Sequence, residues 1–144
     1  MIYAVNKTEY EDLVSVWESS VKSTHHFLAK EDFEFYKKLI PSFFENLILH
    51  CVKNEKEQIV GFMGTDKDNL EMLFVHESEI GKGFGKKLLV YAIDNLNIKK
   101  VDVNKDNPQA IDFYTRFGFE TKSVSDVDGF GKPYPILHLV LKSN

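Results

Sequence analysis

The chain has 144 residues, 43% of them hydrophobic, which is typical of one folded domain and not of a disordered chain. Its net charge of −4 argues against nucleic acid as the main partner, and its single cysteine, Cys51, excludes an internal disulfide. No apolar run is long enough to span a membrane, and the N-terminal residues lack a secretory-signal pattern. We expect one cytoplasmic domain over residues 1–144, monomeric or homodimeric, that binds neither nucleic acid nor membrane.

The first part of the chain predicts a strand followed by two helices. Residues 2–5 are a short apolar run typical of a strand. Thr8, with Glu11 three residues later, predicts a capping box at the start of a helix. Residues 30–46 predict a second helical region, which Pro41 should interrupt or restart because proline has no N–H to donate. The first helix has an apolar face made of Tyr10, Leu13, Val14, Trp17 and Val21.

The middle of the chain changes to strands. Three short β-prone runs, at residues 49–53, 58–65 and 70–76, are separated by turn-like residues. Strands joined this tightly should pair as an antiparallel meander. A glycine-rich loop then leads into a helix whose apolar residues recur at helical spacing from Phe84 to Leu96.

The last part of the chain predicts a strand, a well-marked helix and two closing strands. The first strand is residues 100–103. Asn107 can cap the following helix, Pro108 suits its first turn and Gly118 suits its end. The closing strands are residues 119–124 and 136–141. The order β-α-α-β-β-β-α-β-α-β-β predicts an α/β (α+β) fold, with a mixed, mostly antiparallel sheet of about seven strands and helices on both faces.

The loop at residues 81–87, with the sequence GKGFGKK, lies between a predicted strand and a predicted helix. Glycines let the backbone turn sharply and approach a ligand closely. The N–H groups and positive dipole end of the helix, with the lysines, favour a pyrophosphate. A flexible turn before a helix with a solvated lysine face is the alternative interpretation. A Walker A loop is disfavoured because the Ser or Thr that this motif requires is missing here. A Rossmann fingerprint is disfavoured because the position of its third glycine is Lys86.

Two blocks of sequence resemble the GNAT acetyltransferases. The strand residues 73–75, followed by GKGFG at residues 81–85, are similar to the acetyl-CoA-binding motif of that family. Residues 104–119, with two asparagines, an alanine, Phe-Tyr and Gly-Phe, follow the family pattern in the expected order and separation. The order of strands and helices over nearly the whole chain also agrees with the family.

Three further segments resemble the YjaB-like subgroup of small bacterial GNAT proteins: residues 17–21, 24–28 and 131–135. One loop position departs from the family, which usually has Gln or Arg where this chain has Ile80. That position usually contributes its backbone N–H to the cofactor, and Ile80 retains this group.

The resemblance implies transfer of an acetyl group from acetyl-CoA to a primary amine by direct attack. The implied co-substrate is acetyl-CoA (coenzyme A), without a metal, and the acceptor is an unidentified small-molecule or peptide amine. No Cys/His or paired-His spacing indicates a metal site. The cofactor-binding residues implied by the resemblance are Phe74, Val75, Ile80, Gly81, Lys82, Gly83, Phe84, Gly85, Lys86, Asn104, Asn107, Ala110 and Tyr114.

The resemblance also implies catalytic roles. Tyr114, on the helix after the second asparagine, is the predicted general acid, because a phenol can protonate a leaving thiolate. Glu71 is the predicted base, and His76 is an alternative to it. Tyr114 also has a structural interpretation as a core aromatic, and Glu71 as a surface carboxylate, while His25 and His26 could be ordinary polar loop residues. The acceptor should bind between the first helical hairpin and the closing strands, near His25, His26, Phe27 and Tyr134.

Two other functions remain open on the same fold. A non-catalytic acyl-CoA-binding or sensor module would keep the glycine loop without needing Tyr114. A protein N-terminal acetyltransferase would need a groove for an extended chain. The aromatic residues of 33–44, together with Tyr134, favour a smaller pocket.

Overall fold

A computed structural model describes residues 1–142 of the chain. These residues form two compact units, one spanning Met1–Ile98 and the other beginning at Lys99. The order of helices and strands is the predicted one, with two additional 3₁₀ turns at Lys7–Glu9 and Glu77–Glu79. The prediction of one domain over residues 1–144 reaches beyond the described part and stays a prediction.

The first unit is a four-stranded antiparallel sheet with three helices. Its strands lie in the order β1-β2-β3-β4, so neighbours in sequence are neighbours in the sheet. This confirms the predicted meander. The strands are β1 Ile2–Ala4, β2 Ile48–Lys53, β3 Ile59–Asp66 and β4 Asn69–Val75, and the helices are α1 Tyr10–Thr24, α2 Lys30–Phe44 and α3 Phe84–Leu96.

Helices cover both faces of this sheet. Two successive residues of β3 show this, because neighbouring side chains of a strand point to opposite sides. Phe62, which is 0% exposed, lies with its ring centroid 5.8 Å from Phe44 of α2 and 5.8 Å from Phe74 of β4. The preceding residue, Gly61, faces the other way, where a Cβ would lie 3.5 Å from a methyl group of Leu88 in α3. α2 and α3 therefore pack on opposite faces.

Cys51 lies in the core of the first unit. It pairs with Phe62 across β2 and β3 and is 0% exposed. Burial raises the pKa of its thiol above the ordinary value. Neither solvent nor another cysteine of the chain reaches this sulfur.

The second unit is a three-stranded antiparallel sheet with one helix. Its strands lie in the order β5-β7-β6. The helix is capped by Asn107, begins at Pro108 and stops before Gly118, whose φ of +96° suits glycine. The elements are β5 Lys100–Asn104, α4 Pro108–Arg116, β6 Phe119–Ser125 and β7 Ile136–Leu141. No helix within residues 1–142 is long and apolar enough to cross a membrane.

The predicted capping box at Thr8 and Glu11 is wrong. The box lies two residues earlier, where the N–H of Asn6 donates to Oε1 of Glu9 at 2.9 Å. Thr8 then falls inside the 3₁₀ turn that precedes α1. Asparagine caps a helix at least as well as threonine, so both overlapping patterns are possible, and the one that begins at Asn6 is formed.

The prediction that Pro41 interrupts the second helix is also wrong, because α2 continues through it to Phe44. Proline removes one hydrogen bond of the helix. Ile40 is 6% exposed and Phe44 is 1% exposed, so core side chains hold the helix on both sides of the proline. The ring of Pro41 itself lies at the exposed surface.

Candidate active site

The turn between β4 and α3 leaves several main-chain N–H groups without partners. Gly81 and Gly83 have φ values of +88° and +89°, which glycine adopts without strain. α3 begins at Phe84, and the first N–H to donate into the helix is that of Lys87, to the carbonyl of Gly83 at 3.1 Å. The N–H groups of residues 84–86 therefore precede the first helical hydrogen bond and point out of the helix end.

The space beside this turn is open. A Cβ built at Gly81 or at Gly83 would meet no atom within 4 Å. This open space, which we call the cradle, adjoins the N-terminal, positive end of the α3 dipole, which is a favourable place for an anion. The residues present therefore fit the pyrophosphate of coenzyme A.

Lysines surround the turn with positive charge. The Nζ of Lys82 lies 3.1 Å from the carboxylate of Glu79, so part of its charge is already paired. The Nζ of Lys87 lies 5.4 Å from the ring centroid of Phe84. Lys86, in the first turn of α3, is exposed. Of the three, Lys86 is best suited to approach a phosphate group.

Strand β4 presents main-chain groups on the side away from β3. The N–H of His76 donates to the carbonyl of Val60 at 2.8 Å, so the main-chain N–H and C=O groups of His76 are directed towards β3. In an antiparallel pair this direction alternates, so Phe74 also faces β3, whereas Leu73 and Val75 face away. Of the two predicted strand residues, only Val75 has main-chain groups directed away from β3. Leu73, which sequence reasoning missed, has the same orientation.

The segment between β4 and the glycine turn is held by side chains. Ser19 of α1 accepts a hydrogen bond from the N–H of Glu77 at 3.0 Å. Nδ1 of His76 accepts from the N–H of Ser78 at 3.2 Å. Ile80 is 48% exposed, and its N–H reaches the carbonyl of Glu77 only at 3.4 Å. Because that hydrogen bond is long, the Ile80 N–H can exchange it for a ligand.

The two predicted bases have different surroundings. Glu71 is exposed on β4, at a register shift between β3 and β4 that leaves it without a Cα partner, so simple alternation does not place it on the predicted face of Leu73 and Val75. Nδ1 of His76 accepts from the N–H of Ser78 and caps the 3₁₀ turn, so a neutral His76 carries its proton on Nε2, which is then a donor. Of these two side chains, Glu71 is therefore the more exposed, and His76 is the more firmly positioned.

In the second unit, the two asparagines and Ala110 lie at the start of α4. Asn104 is half-buried at the end of β5. Asn107 is 9% exposed, and its Oδ1 accepts from the N–H of Ala110 at 3.3 Å, which is the predicted helix cap. The carbonyl side of the Asn107 amide is thus used within the fold, and its NH₂ group remains the part that can face a ligand.

Tyr114 has a buried ring in the second unit. It is 6% exposed and packs edge-to-face with Phe113 and Phe119 at centroid distances of 5.2 and 5.7 Å. Burial raises its pKa, so the hydroxyl holds its proton at physiological pH. Within residues 1–142 this oxygen is not among the fully buried atoms that lack a hydrogen-bond partner. The residue thus combines a core ring with a protonated hydroxyl.

The predicted acceptor residues belong to both units. In the first, His25 and Phe27 lie together with ring centroids 5.2 Å apart, and Nδ1 of His25 lies 2.7 Å from Oγ1 of Thr24. Burial, with a smaller contribution from His26, lowers the pKa of His25 from 6.5 to about 4. Tyr134 belongs to the second unit, where it is 9% exposed. Residues 1–142 contain no cluster of His, Cys, Asp or Glu that could hold a metal ion.

Comparison with known proteins identifies the family. Residues 18–130 match the acetyltransferase (GNAT) domain, which is more than half of the chain. The chain belongs to the GNAT acetyltransferase family. It is an N-acetyltransferase, and the predicted fold is the fold of this family.

Individual relatives agree with this assignment. Peptidyl-lysine N-acetyltransferase YjaB of Escherichia coli (strain K12) is 34% identical over 142 residues, covering 96% of this chain and 97% of the relative. The solution structure of apo YjaB from Escherichia coli has a TM-score of 0.91 at 35% identity, covering 100% and 98% of the two chains. A PaiA N-acetyltransferase from Thermoplasma acidophilum, solved in complex with coenzyme A, shares the fold with a TM-score of 0.73 at 19% identity and 96% coverage of both chains.

The glycine turn yields a test by substitution. Gly83→Ala places a methyl group in the open cradle and adds about 1–2 kcal/mol of backbone strain, so we expect coenzyme A affinity to fall by at least about tenfold. Gly131→Ala is the matched control, because Gly131 also has a positive φ, +76°, and open space around it. It should lose similar stability and keep its affinity. Calorimetric titration with coenzyme A and thermal unfolding measure both, and equal losses of affinity would contradict the cradle.

His25 yields a test by pH. The folded chain keeps His25 neutral, whereas the unfolded chain protonates it near 6.5, so the free energy of unfolding should fall as the pH drops towards about 4. The full effect is about 3 kcal/mol. Urea unfolding across this range should show a weaker pH dependence in His25→Gln. His26→Gln should keep most of the dependence, because burial is the larger cause. Parallel curves for the wild type and His25→Gln would disprove the buried, neutral state.

Proposed function

We propose that the chain transfers the acetyl group of acetyl-CoA to the side-chain amine of lysine residues in peptides or proteins. The observation that carries this proposal is the open turn at Gly81 and Gly83, with unpaired N–H groups at the start of α3. The lysine acceptor is supported by the name of the YjaB relative, which aligns with nearly the whole chain. We place the reaction in the cytoplasm, in keeping with a single free thiol.

The co-substrate supplies an activated acetyl thioester. In our proposal, the N–H groups of residues 84–86 and the ammonium group of Lys86 hold its phosphates. The outward main-chain groups of Leu73 and Val75 hold its extended arm by strand-like hydrogen bonds. The NH₂ group of Asn107 and the side chain of Asn104 provide further polar contacts.

Tyr114 is the proposed general acid. Burial raises its pKa, so its hydroxyl keeps its proton at physiological pH and serves as a hydrogen-bond donor, although it is a weaker acid than a free phenol. A leaving thiolate belongs to a thiol with a pKa of about 8.5, and a nearby phenol can hydrogen-bond or protonate it. Because Phe113 and Phe119 pack against the ring, the hydroxyl is held in one place.

The acceptor amine must lose a proton before it attacks, since a free lysine has a pKa of about 10.4. Glu71 is the proposed base because it is an exposed carboxylate on β4, the strand that also carries Val75. His76 is the alternative; its proton-accepting nitrogen is Nδ1, which would have to exchange its hydrogen bond with the Ser78 N–H for the proton of the amine. His25 is neutral, so its ring adds no charge that would repel an incoming lysine. His25, His26 and Phe27 are the proposed acceptor-binding residues of the first unit, and Tyr134 is the proposed one of the second.

The acceptor is tested with three peptides of otherwise identical sequence. One has a blocked N-terminus and a single lysine, the second has arginine in place of that lysine, and the third has arginine and a free N-terminus. We expect coenzyme A release and acetylation with the first peptide alone, measured by thiol detection and mass spectrometry. Modification of the third alone would instead indicate an N-terminal acetyltransferase. Binding of acetyl-CoA without transfer to any peptide or polyamine would indicate a sensor module.

Tyr114→Phe tests the general acid. The change removes one hydroxyl and keeps the packed ring, so turnover should fall by about a hundredfold or more. Affinity for acetyl-CoA should stay nearly constant, because the lost interaction is made mainly in the transition state.

Phe113→Leu is the control for this experiment, since it disturbs the packing of Tyr114 without removing a proton donor. Turnover and coenzyme A affinity are measured for both variants under conditions where chemistry limits the rate. Unchanged turnover in Tyr114→Phe would leave Tyr114 as a core aromatic only.

A further inference from the structure

Three polar residues on three strands of the second unit form one continuous chain of hydrogen bonds. Oδ1 of Asp102, on β5, lies 2.7 Å from Nδ1 of His138, on β7. Nε2 of the same histidine lies 2.6 Å from Oγ of Ser125, at the end of β6. None of the three belongs to the residues assigned above to the cofactor or to the acceptor.

The register of the sheet brings these side chains together. Asp102 and His138 are direct partners across β5 and β7, so they share one face. The neighbours Val101 and Leu139 point to the opposite face and are each 2% exposed. His138 pairs with Ser123 across β6 and β7, and Ser125, two residues further along β6, is its diagonal neighbour on the same face. The arrangement is therefore set by three strands at once.

The chemistry of each group fixes the direction of these hydrogen bonds. An ionised carboxylate only accepts, so Nδ1 of a neutral His138 must carry the proton that it donates to Asp102. Nε2 is then the unprotonated nitrogen, and it accepts from the hydroxyl of Ser125. In an activated serine, on whatever fold it occurs, the hydroxyl is hydrogen-bonded to a base, and a third group orients that base. The three residues have this geometry.

The hydrogen-bonded side chains of Asp102, His138 and Ser125 are also accessible to a substrate. The His138 side chain is 36% exposed and that of Asp102 is 50% exposed, so the site lies at the surface. β6 is an edge strand of its unit, so one side of it is not covered by a neighbouring strand of that unit. A shallow, open site of this kind suits a small ester with a good leaving group, such as an aryl acetate.

We propose that Ser125 is the nucleophile of a second acyl-transfer site, one that hydrolyses small carboxylic esters without coenzyme A. Oγ of Ser125 bonds to the ester carbonyl carbon while its proton moves to Nε2 of His138. The bond to the leaving oxygen then breaks, and that oxygen takes the proton from Nε2. Water, deprotonated by the same nitrogen, releases the acid and restores Ser125. Asp102 is a positioning residue that holds the imidazole in the required tautomer.

The test uses a fluorophosphonate, which phosphonylates activated serines with loss of fluoride, together with p-nitrophenyl acetate. The wild-type protein should gain one adduct, mapped to Ser125 by peptide mass spectrometry, and should hydrolyse the ester. Ser125→Ala should gain none, and His138→Gln should react about a hundredfold more slowly, the usual effect of removing a general base. Ser123→Ala, on the same strand, should react like the wild type.

Asp102→Asn separates positioning from mere structure. It should lower the labelling rate at an unchanged melting temperature, and it should abolish the downfield proton resonance of the His138 Nδ1–H group in NMR spectra. The absence of an adduct on Ser125 in the wild type would overturn the proposal, even if a variant failed to fold. Labelling that is unaffected by His138→Gln would overturn it as well. In either case the three side chains would serve only to tie the strands together.

Discussion

The burial of Phe62 is the interaction on which the first unit depends. This side chain lies on a central strand and is fully enclosed by Phe44 from α2 and Phe74 from β4. Its contacts fix β4 against β3, and the end of β4 in turn sets where the glycine turn begins. A ligand-binding main chain can stay open to solvent only because the side chains behind it are packed closely.

The opposite face of β3 adds a second constraint. Gly61 has no side chain, and a Cβ at that position would approach the carbonyl of Phe74 to 3.3 Å. Leu88 of α3 occupies the side that a larger residue would fill. α3 therefore packs through Leu88 close to Gly61, whose partner across β3 and β4 is Val75. In our proposal, a helix terminus and a strand edge act together on one extended ligand.

The sequence predicted what local chemistry decides. The Asn107 cap, the glycine turn and the order of elements all follow from patterns only a few residues long. The predicted capping box is wrong because Asn6-x-x-Glu9 and Thr8-x-x-Glu11 are the same sequence pattern. The predicted break at Pro41 is wrong because tertiary packing holds the helix on both sides of it. Contacts between distant residues left no local pattern. Ser19 reaches Glu77 across 58 positions, and Asp102 reaches His138 across 36, so only the folded sheet reveals them.

The enclosed thiol of Cys51 has a practical consequence for studying this enzyme. Acetyl transfer releases free coenzyme A, which is commonly detected by dyes that react with thiols. Because the only cysteine of the chain is buried and its pKa is raised, the native protein is a poor target for such dyes. The colour that develops during turnover then reports product alone. The same dye reacts with Cys51 once the core opens, so one reagent follows catalysis in the folded state and loss of structure on denaturation.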